Sequence, residues 1–254
     1  MLFLMKRVSM KLARCNEGDA KRLLSNAKIA FLPVGATEPH GDHLLLGTDT
    51  ELADIFASRV ASHFQDCSVI LPVLPYSQVW SLQGFAGAID IGNDLLSQLV
   101  VRIAHEIEQY GIHTLVVINT HFGNCDTLKV AARELQAVGI DLLTFSWSGT
   151  SEVIEKVRET PEAKQGYTHA CEIETSIALA LMPENVYMEH ARANYPSFPT
   201  SFSYLPAKWT TFSDTATLGD PTQADSIKGM EIVGTSEQYV VTHLNEYLER
   251  KYDQ

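Results

Sequence analysis

The chain alternates short apolar runs with longer amphipathic stretches. "IAFLPVG" (29–35), "VILPVLPY" (69–76), "HTLVVINT" (113–120) and "IDLLTFSW" (140–147) are runs of strand length. The third is the clearest, being rich in β-branched residues. Between them, apolar positions recur at helical spacing. In 49–64, Leu52, Ile55, Phe56, Val60 and Phe64 share a face. Further helices are predicted over 94–111, stopped by Gly111, over 125–139, closed by Gly139, and over 171–183, ended before Pro183. Residues 222–252 read as one or two long helices, with a possible break near Gly234. Strands alternating with helices predict an α/β protein: a single-domain, three-layer α/β/α sandwich around a mainly parallel sheet, spanning 1–254. No linker or repeat divides the chain, and the proline-containing stretch 192–222 is the expected surface excursion.

Composition narrows the function classes. At 254 residues and 45% hydrophobic, the chain can bury one substantial core. Its net charge of -12, with no Lys/Arg cluster, argues against a nucleic-acid partner. Cys15, Cys67, Cys125 and Cys171 are far apart, so neither a disulfide scaffold nor a zinc-finger spacing is expected. The opening "MLFLMKRVSM" places its charges after a short apolar run, the reverse of a signal peptide, and no stretch has the length of a membrane span. A cytoplasmic protein with no membrane partner is the expectation.

One segment is unlike a turn. "GATEPHGDHLLLGTDT" (35–50) follows the first strand and holds Glu38, His40, Asp42, His43 and Asp49, where a loop needs only Gly, Asn, Pro or Ser. His121 follows another strand, in "NTHFGN". In open α/β sheets, ligands sit beyond the carboxyl ends of the strands, so these loops are expected to meet. A third segment is "HACEIETS" (169–176). If helical throughout, it puts His169, Glu172 and Ser176 on one face and turns Glu174 about 200° from Glu172. Histidines and carboxylates without thiolates suit Zn, Mn or Fe. Glu38, His40, Asp49, His121 and Glu172 supply enough ligands for two metals sharing a carboxylate, with His169 placed to carry a proton. The plainer readings are loop polarity for each histidine, and helix capping by Thr48 or Asp49. Asp42 and His43 read as loop or supporting residues, and Cys125 as a small filler at a helix start. A Cys171–His169 nucleophile is disfavoured, because helical positions two apart do not face each other.

"VGATEPHGDHLLLGTD", "NTHFGN" and "HACEIETSIALALMPENV", in that order, resemble the creatininase (creatinine amidohydrolase) family, from about Val34 to "LGDPT" at 218–222. The resemblance implies an α/β/α fold with a dinuclear site. Glu38, His40, Asp49 and His121 match metal-ligand positions, with Asp49 as the bridge. In creatininase proper an acid two residues after the motif's histidine binds metal. Here that place is Gly123, so the remaining ligand is assigned to Glu172 in the later helical motif. Leu82, Ala86 and Ala88 stand where many relatives carry a His shortly before a Phe-Pro-Gly-Thr segment, and the aromatic set of creatininase proper is not evident. Creatinine is therefore a doubtful substrate.

The expectation is a dinuclear metal-dependent amidohydrolase that attacks a C–N bond of a small polar molecule with a metal-activated hydroxide. The catalytic residues are taken as His169 and Glu172, and the cofactor as two divalent ions (Zn, Mn or Fe). The alternatives are the same metals cleaving a C–C bond of a cyclic polyol ketone, or a non-catalytic binding homologue. The family resemblance also implies a homo-oligomer, commonly a hexamer.

Overall fold

The computed structural model describes residues 10–252. The first nine residues, where the sequence argued against a signal peptide, lie outside the described residues. Eleven regular elements follow in order: α1 (Glu17–Asn26), β1 (Ile29–Val34), α2 (Thr48–Ala61), β2 (Ser68–Ile70), α3 (Gly92–Glu108), β3 (Thr114–Asn119), α4 (Cys125–Gln136), β4 (Asp141–Phe145), α5 (Ser151–Val157), α6 (Glu172–Leu181) and α7 (Ser226–Tyr252). Short 3-10 turns fill much of the rest.

The four strands form one parallel sheet in the order β2-β1-β3-β4. β1 and β3 are buried along their whole length, which is why they read as continuous apolar runs. Alternate residues feed opposite faces. Ile29, Phe31, Val116 and Ile118 pack with residues of α2, α6 and α7. Ala30, Leu32, Val34, Leu115 and Val117 pack with α3 and α4. Two cores around one sheet make the three layers that the alternating pattern predicted.

Several boundaries differ from the sequence reading. β2 is only three residues long, because Pro72 and Pro75 cannot donate to the ladder; beyond it, Leu71 N–H reaches Phe31 O at 2.8 Å and Leu74 N–H reaches Pro33 O at 3.0 Å. α2 begins at Thr48 behind Gly47 and receives no side-chain cap, so neither Thr48 nor Asp49 caps it. Thr48 instead donates to Leu45 O at 2.7 Å. α7 runs unbroken through Gly234. α1 and α5 were not anticipated; both are short and polar. All four cysteines are free thiols. Among the described residues, no helix is long and apolar enough to cross a membrane.

The strand order changes direction between β1 and β3: the chain leaves β1 toward β2, and leaves β3 toward β4. Ligand crevices form at such a switch point, outside the carboxyl ends of the strands.

Candidate metal centre

β1 ends at Val34, and Gly35 then passes directly against the first turn of α2. A Cβ at Gly35 would collide with the backbone of Asp49 and Thr50, so only glycine permits this approach. Hydrogen bonds lock it: Thr50 Oγ1 donates to Ala36 O at 2.9 Å, Asn124 Nδ2 to Gly35 O at 3.2 Å, and Thr120 Oγ1 to Asp49 O at 2.6 Å. The loop after β1, the start of α2 and the loop after β3 thereby converge at the switch point.

Glu38, His40 and Asp49 are buried there, and His121 and His169 nearly so. The sixth member is Glu174. Ligand atoms of these residues fall into three compact groups: Glu38, Asp49 and His121; His40, Asp49 and Glu174; and Glu38, His40 and His169. Asp49 is common to the first two, as the family resemblance implied for a bridging acid.

Each histidine uses one ring nitrogen on a backbone carbonyl. His40 Nδ1 donates to Glu38 O (3.0 Å), His121 Nε2 to Gln78 O (2.7 Å) and His169 Nε2 to Pro39 O (2.9 Å). A carbonyl can only accept, so these bonds fix the protonated nitrogen of each neutral ring. The other nitrogens of His40 and His121 are left to face carboxylates. His40 Nε2 lies 3.6 Å from Asp49 Oδ1, 3.7 Å from Glu174 Oε1 and 3.9 Å from Glu38 Oε1. His121 Nδ1 lies 3.1 Å from Glu38 Oε1 and 3.3 Å from Asp49 Oδ2. Glu38 Oε2, His40 Nε2 and Asp49 Oδ2 have no hydrogen-bond partner although buried.

Lone pairs gathered in this way require a cation. With protons as that cation, burial lowers the pKa of His40, but Asp49 and Glu174 outweigh it and hold it well above the usual histidine range. Burial likewise opposes, and Glu38 and Asp49 override, at His121. Burial raises the Asp49 carboxyl, but His40 and His121 pull it below the ordinary carboxylate range. Glu174 is lowered against burial, chiefly by His40. Divalent ions would meet the same demand with fixed geometry. The oxygen and imidazole donors fit Zn, Mn or Fe, and three of the buried atoms, one each on Glu38, His40 and Asp49, have no hydrogen-bond partner.

The structure brings together Glu38, His40, Asp49, His121 and His169 of the residues singled out in sequence, and it corrects the sixth. Glu172 is turned away from the cluster. Its carboxylate accepts from Lys228 Nζ (2.7 Å), Thr160 Oγ1 (2.7 Å) and the backbone N–H groups of Glu159 and Thr160. The prediction assumed a helix running back through His169. In fact Ala170 has φ 49°, Cys171 is extended, and α6 starts only at Glu172. From the third position of the helix, Glu174 folds back to accept from Ala170 N–H at 2.5 Å, and this aims its other oxygen at His40. No standard helix-start signal marks this turn, because Cys171 at the N-cap offers no capping side chain and Glu174 bonds one residue further back, to Ala170.

The supporting residues also separate. Asp42 is an exposed loop residue. His43 is buried, shares a 3.0 Å hydrogen bond with Thr175 beside Glu174, and is pushed down to about 4 by burial and then by His40. Cys125 opens α4 as expected. At Gly123 a Cβ would collide with His121 Nε2, so no acid fits there without moving that ring.

The creatininase family model, described as creatinine amidohydrolase, matches residues 13–244. The chain belongs to this family. It is 31% identical over 223 residues to the mycofactocin precursor peptide peptidase of Mycobacterium tuberculosis, covering 84% of this chain and 83% of that one. It is 29% identical over 211 residues to the creatinine amidohydrolase of Pseudomonas putida, covering 74% and 80%. Solved creatininases share the fold: a manganese form aligns with TM-score 0.78 and a Zn-Zn form of a mutant with 0.80, each at 23% identity, over 94% of this chain and 98% of theirs. The chain is thus a creatininase-family hydrolase.

Proposed function

We propose that this creatininase-family hydrolase is a dinuclear metal-dependent amidohydrolase, cleaving a C–N bond in a small polar substrate. The observation that carries the reading is the histidine arrangement: His40 and His121 are each anchored by one nitrogen on a carbonyl and aim the other at carboxylates that converge on Asp49. Glu38, Asp49 and His121 would hold one ion, and His40, Asp49 and Glu174 the other. Divalent ions in such a site polarise a carbonyl and make water acidic enough to act as a nucleophile near neutral pH. Creatininases solved with manganese or zinc support the donor assignment.

The remaining chemistry falls to His169. Its Nε2–H is held on Pro39 O, and its Nδ1 lies 3.9 Å from Glu174 Oε2 at the edge of the cluster. In the neutral ring Nδ1 is therefore free to take a proton and pass it to a leaving amine. The Trp209 ring stands edge-on to the His169 ring, their centroids 5.4 Å apart. Glu172 has no part in this step, since its oxygens are committed to Lys228 and Thr160.

The test is a panel of cyclic amides and short peptides offered to zinc- or manganese-loaded protein, chelated protein and Asp49→Ala. Hydrolysis by loaded wild type alone is expected. Equal turnover by chelated protein or by Asp49→Ala would overturn the reading.

A further inference from the structure

Trp80 and Trp209 stand on separate parts of the chain, and each is tied to a cluster histidine in a different way. Trp80 comes two residues after Gln78, whose carbonyl anchors His121. Trp209 lies on the excursion before α7 and packs against His169. The two turns meet, for a Cβ at Gly84 (φ +106°) would touch the Thr210 side chain. Lys208 joins them, its ammonium 6.0 Å from the centre of the Trp80 ring.

Lys208 is only partly exposed, yet among the described residues it has no carboxylate within ion-pair distance. Other half-buried cations are paired: Arg59 with Glu237, Arg158 with Glu162, Lys228 with Glu172 and Lys251 with Asp141. Lys164 is the other exception, and it too lies over an aromatic ring, that of Phe198. An unpaired ammonium over the Trp80 ring, on the residue next to the Trp209 that packs against His169, is suited to hold an anionic group on the molecule that enters.

We propose that Lys208 is a specificity residue that binds a free carboxylate on the substrate, with Trp80 and Trp209 flanking the chain that carries it. The inference rests on the hydrolase reading and narrows its substrates to amides bearing a carboxylate a few bonds from the scissile carbonyl, such as N-acyl amino acids and short peptides. The plainer alternative is a lysine stem merely lying over Trp80.

N-benzoylglycine and N-benzoylglycinamide differ only in carboxylate against carboxamide. Their binding to zinc-loaded protein is read by rapid-mixing tryptophan fluorescence before turnover, with zinc content and melting temperature recorded on the same samples. Wild type should prefer the acid by about tenfold. In Lys208→Met the preference should vanish, while amide binding, zinc content and melting temperature stay unchanged. Equal binding by wild type, failure of both compounds to bind, or a preference that survives in Lys208→Met would overturn the proposal; the last would assign the carboxylate to the metals. Both probes are also offered to metal-free protein: failure to take up zinc would sink the hydrolase reading, while the acid preference and its loss in Lys208→Met, read without zinc, still decide the role of Lys208.

Discussion

Glu174 places Oε1 3.7 Å from His40 Nε2, while Glu172, two residues earlier on the same helix, accepts from Lys228 Nζ at 2.7 Å. One acid serves the cluster and the other ties α6 to the loop at 159–160 and to α7. Glu174→Gln should therefore lose metal affinity with little change in stability. Glu172→Gln should keep its metal and lose about 1–3 kcal/mol at neutral pH, the cost of leaving buried donors without their charged acceptor while Lys228 keeps Glu159. Chemical denaturation alongside a zinc titration of both variants checks this, and the reverse pattern would refute it.

The Glu172 effect has a defined pH window. Burial raises its pKa, but Lys228 and Thr160 outweigh it and hold the group below its ordinary 4.5. A depressed carboxylate stabilises the fold above its unfolded pKa and loses that contribution as pH falls through the native one. The gap between wild type and Glu172→Gln should thus be full at pH 7 and close as pH drops below 4.5. A gap that widens in acid would contradict the assignment.

The same pair shows what was legible in the sequence. β3 was plain from its β-branched residues, and the loop after β1 was plain because Glu38, His40, Asp42, His43 and Asp49 crowd it more densely than a turn requires. Glu38, His40, Asp49 and His121 followed from their positions after strands, and His169 from a helix that does not extend to it. Glu174 did not, because helix phase was extrapolated through Ala170, whose φ of 49° ends any helical register. Gly234 looked like a helix break, yet tertiary packing carries α7 through it. Trp209 carries no signal in the sequence, because it is adjacent to His169 only in space.

Gly123 is held to glycine by the anchored ring of His121. Gly123→Ala should tilt that ring off Gln78 O and weaken zinc binding by about 10–100-fold, the usual cost of losing a supporting bond to a ligand histidine. Competition against a fluorescent chelator measures it, and wild-type affinity in this variant would show that the Gln78 bond is dispensable.

Two glycines on α7 should respond in opposite directions. A Cβ at Gly229 would collide with the Ser176 carbonyl and crowd Ala180, forcing α7 from the helix that carries Glu174. Gly229→Ala should cost about 1–3 kcal/mol despite its better helix propensity. Gly234 has nothing near its Cβ position, so Gly234→Ala should gain up to about 1 kcal/mol. Thermal unfolding of both decides the matter, and stabilisation by Gly229→Ala would mean the two helices are not in close contact.

The central claim is that Asp49 joins two metal sites, one completed by Glu38 and His121 and the other by His40 and Glu174. The most direct measurement is metal content per chain, on protein purified without added metal or chelator and then saturated with zinc. About two ions are expected in wild type and in Glu172→Gln, about one in Glu174→Gln, and none in Asp49→Ala. No uptake by wild type, or full loading of Asp49→Ala, would contradict it.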